Sequence, residues 1–451
     1  QRYFPTPRGP RPPVNRAAAR RPAAPAPPPP LCLAPPPPPA REAGPALPPL
    51  PPRDVEADTR RDALRQAFTP TRPLVSASRL AGREQQFARI MRALREQMAH
   101  VAIYAERGCG KTSLSNLVAE ALRADGVVVA RFTCAAATDY DALMRGLMRD
   151  LPRSLLARPV TEAHRAEGCE AALPDGRLQP RDLLDVPERL VGGLAQRQLV
   201  LMVDEFDRVV DLHTRTAVAD TLKQISDRGL PMSFVLVGVS DSLEQLLGHH
   251  PSVQRNLVGV PLPLLGPEEM EKLLRQGAEA AGRVLPPSAL AAMSALARGV
   301  PYVGQLLGLH AGHAAVSRGA TTVTGADLDA AIAVAVDEAD LRIVGACEEV
   351  TQGGRDEQMV HGLRAVAAGV QDPYGRFRAE IGSPGSATLA VAGRQIPIAL
   401  WDRLLTATIV RPCIGAGSGL FTFAEATFGH YVLLRAAREV SLAGHPGHVA
   451  A

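Results

Sequence analysis

Lysine is nearly missing from this chain. Only three of its 50 basic residues are lysines, namely Lys111, Lys223 and Lys272, and arginine takes all the other positions. The six cysteines include no C-x-x-C pair and no cluster with histidine at metal-ligand spacing. Their scatter argues against a disulfide framework or a structural zinc site, and it favours a reducing compartment.

Long apolar runs are missing as well. The longest, such as LVLMV at 199–203, are far shorter than a membrane span requires. The stretch PLCLAP at 30–35 is too short and too rich in proline for the core of a signal peptide. We therefore expect a cytoplasmic protein of 451 residues without membrane contact.

Proline is concentrated at the start of the chain. Residues 1–52 hold 21 of the 41 prolines and few large apolar residues. This composition predicts a disordered tail over residues 1–73, partly in polyproline II conformation, which serves as a linker or recruits a proline-binding module. The tail carries 12 arginines and five acidic residues, so the rest of the chain has a net charge of −3. Any nucleic-acid contact there requires a local basic patch.

A glycine-rich stretch, AERGCGKTS at 105–113, follows the apolar segment HVAIY and precedes a helical pattern at 112–126. A strand, a tight turn and a helix form the setting in which backbone N–H groups bind phosphate. We expect Lys111 to reach the β- and γ-phosphates of a nucleotide and the Thr112 hydroxyl to ligate magnesium. The predicted nucleotide-binding residues of this loop are Arg107, Gly108, Cys109, Gly110, Lys111, Thr112 and Ser113.

The first glycine of the pattern G-x-x-x-x-G-K-[ST] is replaced by Ala105. Because alanine is the smallest alternative, we expect the loop to tolerate this change.

An acidic cluster, DEFD at 204–207, follows the buried-strand pattern LVLMV. Asp204 at the strand tip is predicted to hold magnesium, and Glu205 to polarise an attacking water as a general base. A further apolar strand at 232–239 leads to Ser240, which is interpreted either as a γ-phosphate sensor or as a helix N-cap. Arg255 precedes another strand, at 258–265, and is either an arginine finger for a neighbouring subunit or an ordinary surface arginine.

These residues resemble the AAA+ superfamily, and in particular its origin-recognition and cell-division-control branch. LAGREQQFARIMRALRE at 80–96 is similar to the entry motif of that branch, and the resemblance implies that Arg83 lies beside the adenine of ATP. Gly299-Val300-Pro301 resembles the G-x-P element shared with STAND regulatory ATPases, which lies on a helical lid. An origin-recognition lid would carry a sensor arginine there, so this departure shifts the interpretation toward STAND-like relatives.

Four helices are predicted for the lid, because prolines stand at helix starts and glycines at helix ends. They cover 267–282, 286–299, 301–319 and 325–339. Beyond residue 345, helical patterns are followed by IVRPCIGAGSGLFTFAE at 409–425, which reads as two strands around a glycine-rich turn. This order resembles a winged-helix domain, which binds DNA in many relatives. Its candidate recognition helix, at 396–407, has only Arg403 as a basic residue, so a protein-binding domain is an equal alternative.

The expected fold is α/β, a P-loop NTPase parallel sheet with a helical lid and a winged-helix domain. The predicted boundaries are 1–73 for the tail, 74–265 for the ATPase core, 266–344 for the lid and 345–451 for the winged helix. The leading hypothesis is a DNA-associated or signalling ATPase that uses Mg²⁺, ATP binding and slow hydrolysis as a switch, and that assembles with copies of itself on ATP binding. The alternatives are a STAND-like scaffold that binds ATP and a protein partner, and a small-molecule kinase with a mobile lid at 152–189.

Overall fold

The computed structural model describes residues 55–73, 81–156, 168–190, 198–240, 243–247, 255–380, 387–413 and 419–443. Residues 1–54, which contain the proline-rich part of the predicted tail, lie outside these ranges. None of the helices in the described part of the chain has both the length and the apolar composition needed to cross a bilayer.

The first compact part is a parallel sheet of five strands in the order β2-β3-β4-β1-β5. The strands are β1 (His100–Ala105), β2 (Val128–Thr133), β3 (Leu199–Asp204), β4 (Met232–Val239) and β5 (Leu257–Pro261). β1, β3 and β4 are buried along nearly their whole length. Such continuous burial is typical of a parallel sheet that helices cover on both faces.

Helices cover both faces of this sheet, and alternate strand residues contact opposite layers. Val101 and Ile103 of β1 share a core with α2 (Glu84–Arg95) and α3 (Lys111–Ala124). Ala102, between them, belongs to the core formed with α4 (Tyr140–Arg149) and α6 (Leu212–Arg228). Two short helices, α5 (Val186–Arg189) and α7 (Leu243–Leu247), complete this part.

Residues 168–190 pack against the core more closely than the sequence indicated. The kinase alternative requires a mobile lid at 152–189, but Cys169, Leu183 and Val186 of this stretch are buried beside α4 and α6. The leucines and valines of this stretch are spaced irregularly, so no helix or strand period revealed them. Residues 157–167 lie outside the described ranges.

The lid contains the four predicted helices: α8 (Pro267–Ala280), α9 (Pro287–Ala297), α10 (Pro301–Ser317) and α11 (Gly325–Asp337). Their sequence signals act as expected. Proline occupies the first turn of α8, α9 and α10, where no intrahelical N–H bond is lost. Thr324 caps α11, and its backbone N–H donates to the Asp327 carboxylate at 2.8 Å.

A fifth helix, α1 (Val55–Ala67), packs on this lid, in a region that was predicted to be disordered. The prediction of disorder over 1–73 is wrong for residues 55–67, because residues 53–69 contain no proline and their apolar residues stand at helical spacing. Leu64 is fully buried and Phe68 is 2% exposed, both in the apolar core of the lid.

The C-terminal region has a second five-stranded sheet, in the order β8-β7-β6-β10-β9. Its strands are β6 (Phe377–Glu380), β7 (Thr388–Val391), β8 (Arg394–Pro397), β9 (Val410–Pro412) and β10 (Leu420–Phe423). Its helices are α12 (Leu341–Thr351), α13 (Glu357–Ala368), α14 (Ile398–Thr406) and α15 (Phe428–Leu442).

The predicted hairpin is present, since β9 and β10 pair antiparallel directly after α14. β6, β7 and β8 were not predicted, and the pair β7–β8 stands between β6 and α14. The assignment as a winged helix therefore stays a prediction.

Candidate functional site

The glycine-rich loop connects the carboxyl end of β1 to the first turn of α3. Gly108 and Gly110 have φ angles of 79° and 89°, in the left-handed region that other residues rarely adopt. Gly110 is the N-cap of α3, and Lys111 is the first residue of that helix. The loop therefore presents backbone N–H groups and the positive end of the helix dipole at one edge of the sheet, which is an arrangement that binds phosphate.

Lys111 spans the loop from within. Its Nζ donates to the carbonyls of Ala105 and Glu106, at 3.0 and 2.9 Å. Burial lowers the pKa of Lys111, whereas the carboxylates of Asp207, Glu106 and Asp204 act in the opposite direction. The ammonium group is thus held at the loop by carbonyl oxygens that an incoming phosphate can replace.

The acidic cluster lies at the carboxyl end of β3, two strands away from the loop. Glu205 has a φ of 53°, and its Oε2 accepts from Nη1 of Arg208 at 2.8 Å. Strained backbone of this kind is uncommon for glutamate, and such strain is concentrated at functional sites. The Asp207 Oδ1 accepts from the backbone N–H of Val239 at 2.8 Å and so joins the ends of β3 and β4.

The two predicted magnesium ligands are Thr112 and Asp204. Their hydroxyl and carboxylate oxygens are the donors that Mg²⁺ prefers. Asp204 raises the pKa of Lys111, the residue before Thr112. The end of β3 and the loop are therefore close enough for their charges to interact. The donor chemistry of these residues therefore fits the metal.

Ser240, the predicted sensor, follows β4 and is 5% exposed. Its hydroxyl donates to Oε1 of Gln245 at 3.1 Å. It lines a cavity of about 190 Å³ together with Ala105, Glu106 and Cys109. Ser240 thus lies beside the phosphate-binding loop, and its role as a γ-phosphate sensor or as a helix N-cap stays a prediction.

Arg255 is not brought to this site. It is exposed and precedes β5, whose first residue, Leu257, pairs with His100 at the start of β1. The loop follows the carboxyl end of β1, whereas Arg255 lies at the amino end of the parallel strands, on the opposite side of the sheet from the loop. Its role as a finger for a neighbouring subunit stays a prediction.

The G-x-P element of the lid contacts the loop directly. The backbone N–H of Tyr302 donates to the carbonyl of Gly108 at 3.3 Å. A Cβ on Gly108 would lie only 3.1 Å from Val300 and 3.2 Å from Tyr302, so the lid approaches this glycine closely. Beside this contact, a cavity of about 270 Å³ is lined by Gly110, Lys111, Thr112, Ser113 and Pro301, among other residues.

Arg83, the predicted adenine neighbour, is 5% exposed. Its Nη2 donates to the carbonyl of Cys109 at 3.2 Å, and its Nη1 to that of Gly82 at 3.3 Å. A contact with adenine stays a prediction, whereas the contact with the loop is part of the structure.

Two contacts from the C-terminal region were not foreseen. Arg411 of β9 forms an ion pair of 2.8 Å with Glu106, the second residue of the loop. Arg107 approaches Glu425 to 3.8 Å. The sequence predicted the hairpin that carries Arg411, but no local pattern indicates where a hairpin packs in the tertiary structure.

Sheet order, loop and acidic strand end together define a P-loop nucleotide-binding fold. Residues 79–237 match the model of a protein family described as the AAA ATPase domain. This match confirms the prediction of an ATP-binding AAA+ ATPase core and covers about a third of the chain. No curated protein gives a significant match to the sequence.

Solved structures with a similar arrangement include the Walker-type ATPase paby2304 of Pyrococcus abyssi, with 16% identity, 81% of this chain and 99% of that chain covered, and a TM-score of 0.49. The Aeropyrum pernix ORC2 protein has 14% identity, covers 84% and 98% of the two chains, and has a TM-score of 0.46. The Thermotoga maritima RuvB Holliday junction branch migration motor has 14% identity, 81% and 97% coverage, and a TM-score of 0.42. These likenesses assign no activity, substrate or partner to the present chain.

Proposed function

We propose that this protein binds Mg-ATP, hydrolyses it slowly and uses the nucleotide state to switch its conformation or assembly. The observation that carries the proposal is the position of Lys111, which lies in a glycine-rich loop at a helix N-terminus, at the same end of the parallel sheet as Asp204 and Asp207. This combination provides cationic and N–H groups for phosphate and carboxylates for a metal ion.

Each group has a distinct chemical task in the proposed reaction. The loop amides and Lys111 hold the phosphates, and Thr112 and Asp204 hold magnesium, which neutralises phosphate charge when bound. Glu205 orients and polarises the attacking water. Slow turnover is expected because Lys111 first has to exchange its carbonyl partners, and Glu205 its partner Arg208, for the nucleotide and water.

The features of α14 favour a protein partner over DNA. Arg403, the only basic residue of this candidate recognition helix, donates to the carbonyl of Val350 at 3.2 Å. Trp401 is 8% exposed and packs edge-on against Phe421, with ring centroids 4.9 Å apart, so it belongs to the core. DNA affinity depends on cations that neutralise phosphates, so α14 is better suited to a protein surface. This supports the STAND-like scaffold as a second candidate function.

Steady-state ATP hydrolysis tests both candidates. Wild type, Lys111→Ala, Glu205→Gln and the control Glu279→Gln, an exposed carboxylate on α8, are each measured with and without duplex DNA. We expect Lys111→Ala to lose nucleotide binding, and Glu205→Gln to bind ATP but to turn over about 100-fold more slowly. The control should match wild type.

The outcomes separate the hypotheses. Hydrolysis at the normal rate by Glu205→Gln would remove the assignment of the general base. Stimulation of wild type by duplex DNA would favour DNA association over a protein partner. Tight ATP binding without turnover in any condition would favour the scaffold. Assembly into oligomers on ATP binding is checked by sedimentation, and Arg255→Ala should then reduce turnover only in the assembled state.

A further inference from the structure

We propose that Arg83 is a positioning residue of the phosphate-binding loop. It fixes the peptide between Cys109 and Gly110, so that the loop N–H groups face the phosphates. Its neighbours Gly82 and Glu84 tie the same loop to the lid. This inference rests on the proposed nucleotide binding and adds a function for a side chain that does not need to touch the nucleotide.

Arg83 contacts the peptide that joins Cys109 to Gly110. Nη2 of Arg83 donates to the Cys109 carbonyl at 3.2 Å. The peptide bonds of the described residues contain no cis bond, and in a trans peptide the carbonyl and the following N–H point in opposite directions. A guanidinium that binds the Cys109 oxygen on one side therefore directs the Gly110 N–H to the other side, where phosphate binds in loops of this kind.

Because Arg83 is buried, the loss of this contact would be costly. Arg83 is 5% exposed, and both carbonyls that it binds belong to loop or turn backbone. Burial lowers the pKa of Arg83, while the carboxylates of Glu269 and Glu84 partly offset this effect. A neutral side chain in place of Arg83 would leave the Cys109 carbonyl without its charged donor, which costs more than the loss of an exposed contact.

The flanking residues of Arg83 contact the lid. Gly82 has a φ of 67°, and a Cβ there would lie 2.7 Å from Cδ2 of Leu265 and 2.8 Å from Cδ of Glu269. Glu84 forms an ion pair of 2.9 Å with Lys272 of α8. Arg83 thus contacts the loop, while its neighbours Gly82 and Glu84 contact the lid.

Calorimetric titration with two probes tests the positioning role. ATP and inorganic tripolyphosphate, each with Mg²⁺, are titrated into wild type, Arg83→Gln, Arg83→Lys and Arg283→Gln. The last variant is the matched control, because Arg283 is 7% exposed and donates to the Ala320 carbonyl at 2.6 Å, within the lid and away from the loop.

We expect Arg83→Gln to weaken the binding of both probes by about tenfold, since the lost bond involves a charged donor. Arg83→Lys should retain part of the affinity, because an ammonium group can still donate to the carbonyl. Arg283→Gln should bind both probes within about twofold of wild type, whatever its thermal stability. If Arg83→Gln does not fold, Arg83→Lys carries the test with a smaller expected loss in both titrations.

Two results would overturn the inference. If the affinity for ATP falls while that for tripolyphosphate is unchanged, Arg83 acts on the base and not through the loop. If both affinities are unchanged, the contact with Cys109 is dispensable. A wild type that binds neither probe would instead contradict the proposed function, and the positioning role with it.

Discussion

At the level of single residues, Ala105 is where the chain departs from the phosphate-binding pattern. It replaces the first glycine of the phosphate-binding pattern. The structure explains why the change is accepted, since Ala105 is absent from the residues with positive φ and ends β1 in register with Val239 of β4. Its carbonyl, which any residue provides, is the group that Lys111 binds. The position needs neither the backbone freedom of glycine nor its missing side chain.

The substitution Ala105→Gly should therefore leave nucleotide affinity within about twofold of wild type, because no strain is relieved. The comparison is Gly110→Ala, where a φ of 89° makes any side chain costly, and there we expect a loss of about tenfold or more. ATP titration at equal protein stability checks both. A large gain for Ala105→Gly would show that alanine does impair the site.

At the scale of secondary structure elements, α1 is an integral part of the lid. Phe68, just after this helix, is 2% exposed and enters a space that two glycines leave open. A Cβ on Gly277 or Gly308 would lie 2.4 or 2.5 Å from the Phe68 ring. The Phe68 ring thus fills the space that the two glycines leave beside their backbone.

Phe68→Ala should lower the free energy of unfolding by about 3–5 kcal/mol, since a large buried ring is removed and the space can collapse only partly. Leu212→Ala is the control, because Leu212 is 68% exposed, and its effect should stay within about 0.5 kcal/mol. Urea unfolding followed by circular dichroism measures both. Equal effects of the two substitutions would mean that α1 does not stabilise the lid.

At the scale of the whole molecule, the C-terminal region touches the phosphate-binding loop through Glu106 and Arg411. The Glu106 side chain is 11% exposed and that of Arg411 is 26% exposed, so water screens this pair only partly. The neighbouring pair, Arg107 and Glu425, is 3.8 Å apart with side chains 63% and 42% exposed. Both pairs join the phosphate-binding loop to the C-terminal region but differ in burial, which makes one a control for the other.

A double-mutant cycle with Arg411→Ala and Glu106→Gln should give a coupling energy of about 1–3 kcal/mol in unfolding experiments. The corresponding cycle with Arg107→Ala and Glu425→Gln should give less than about 0.5 kcal/mol, as is typical of exposed pairs. Coupling energies of equal size would contradict the view that Arg411 holds the C-terminal region on the loop.

Local sequence patterns predict three core strands, the helix after the phosphate-binding loop and all four lid helices. Apolar runs, proline at helix starts and glycine at turns act locally, within a few residues, so β1, β3, β4 and the four lid helices lie close to their predicted positions. The phosphate-binding loop was predicted for the same reason, since consecutive residues supply its glycines, Lys111 and Thr112.

Which distant residues meet at the loop depends on the tertiary packing. The guanidinium of Arg83 lies against Cys109, Tyr302 of the lid reaches Gly108, and Arg411 pairs with Glu106 from more than 300 positions away. The position of Arg255, at the end of the strands away from the loop, likewise follows from the parallel pairing of β5 with β1. Such contacts depend on how whole elements pack, and packing follows from the shape and burial of many side chains together, which no local pattern contains.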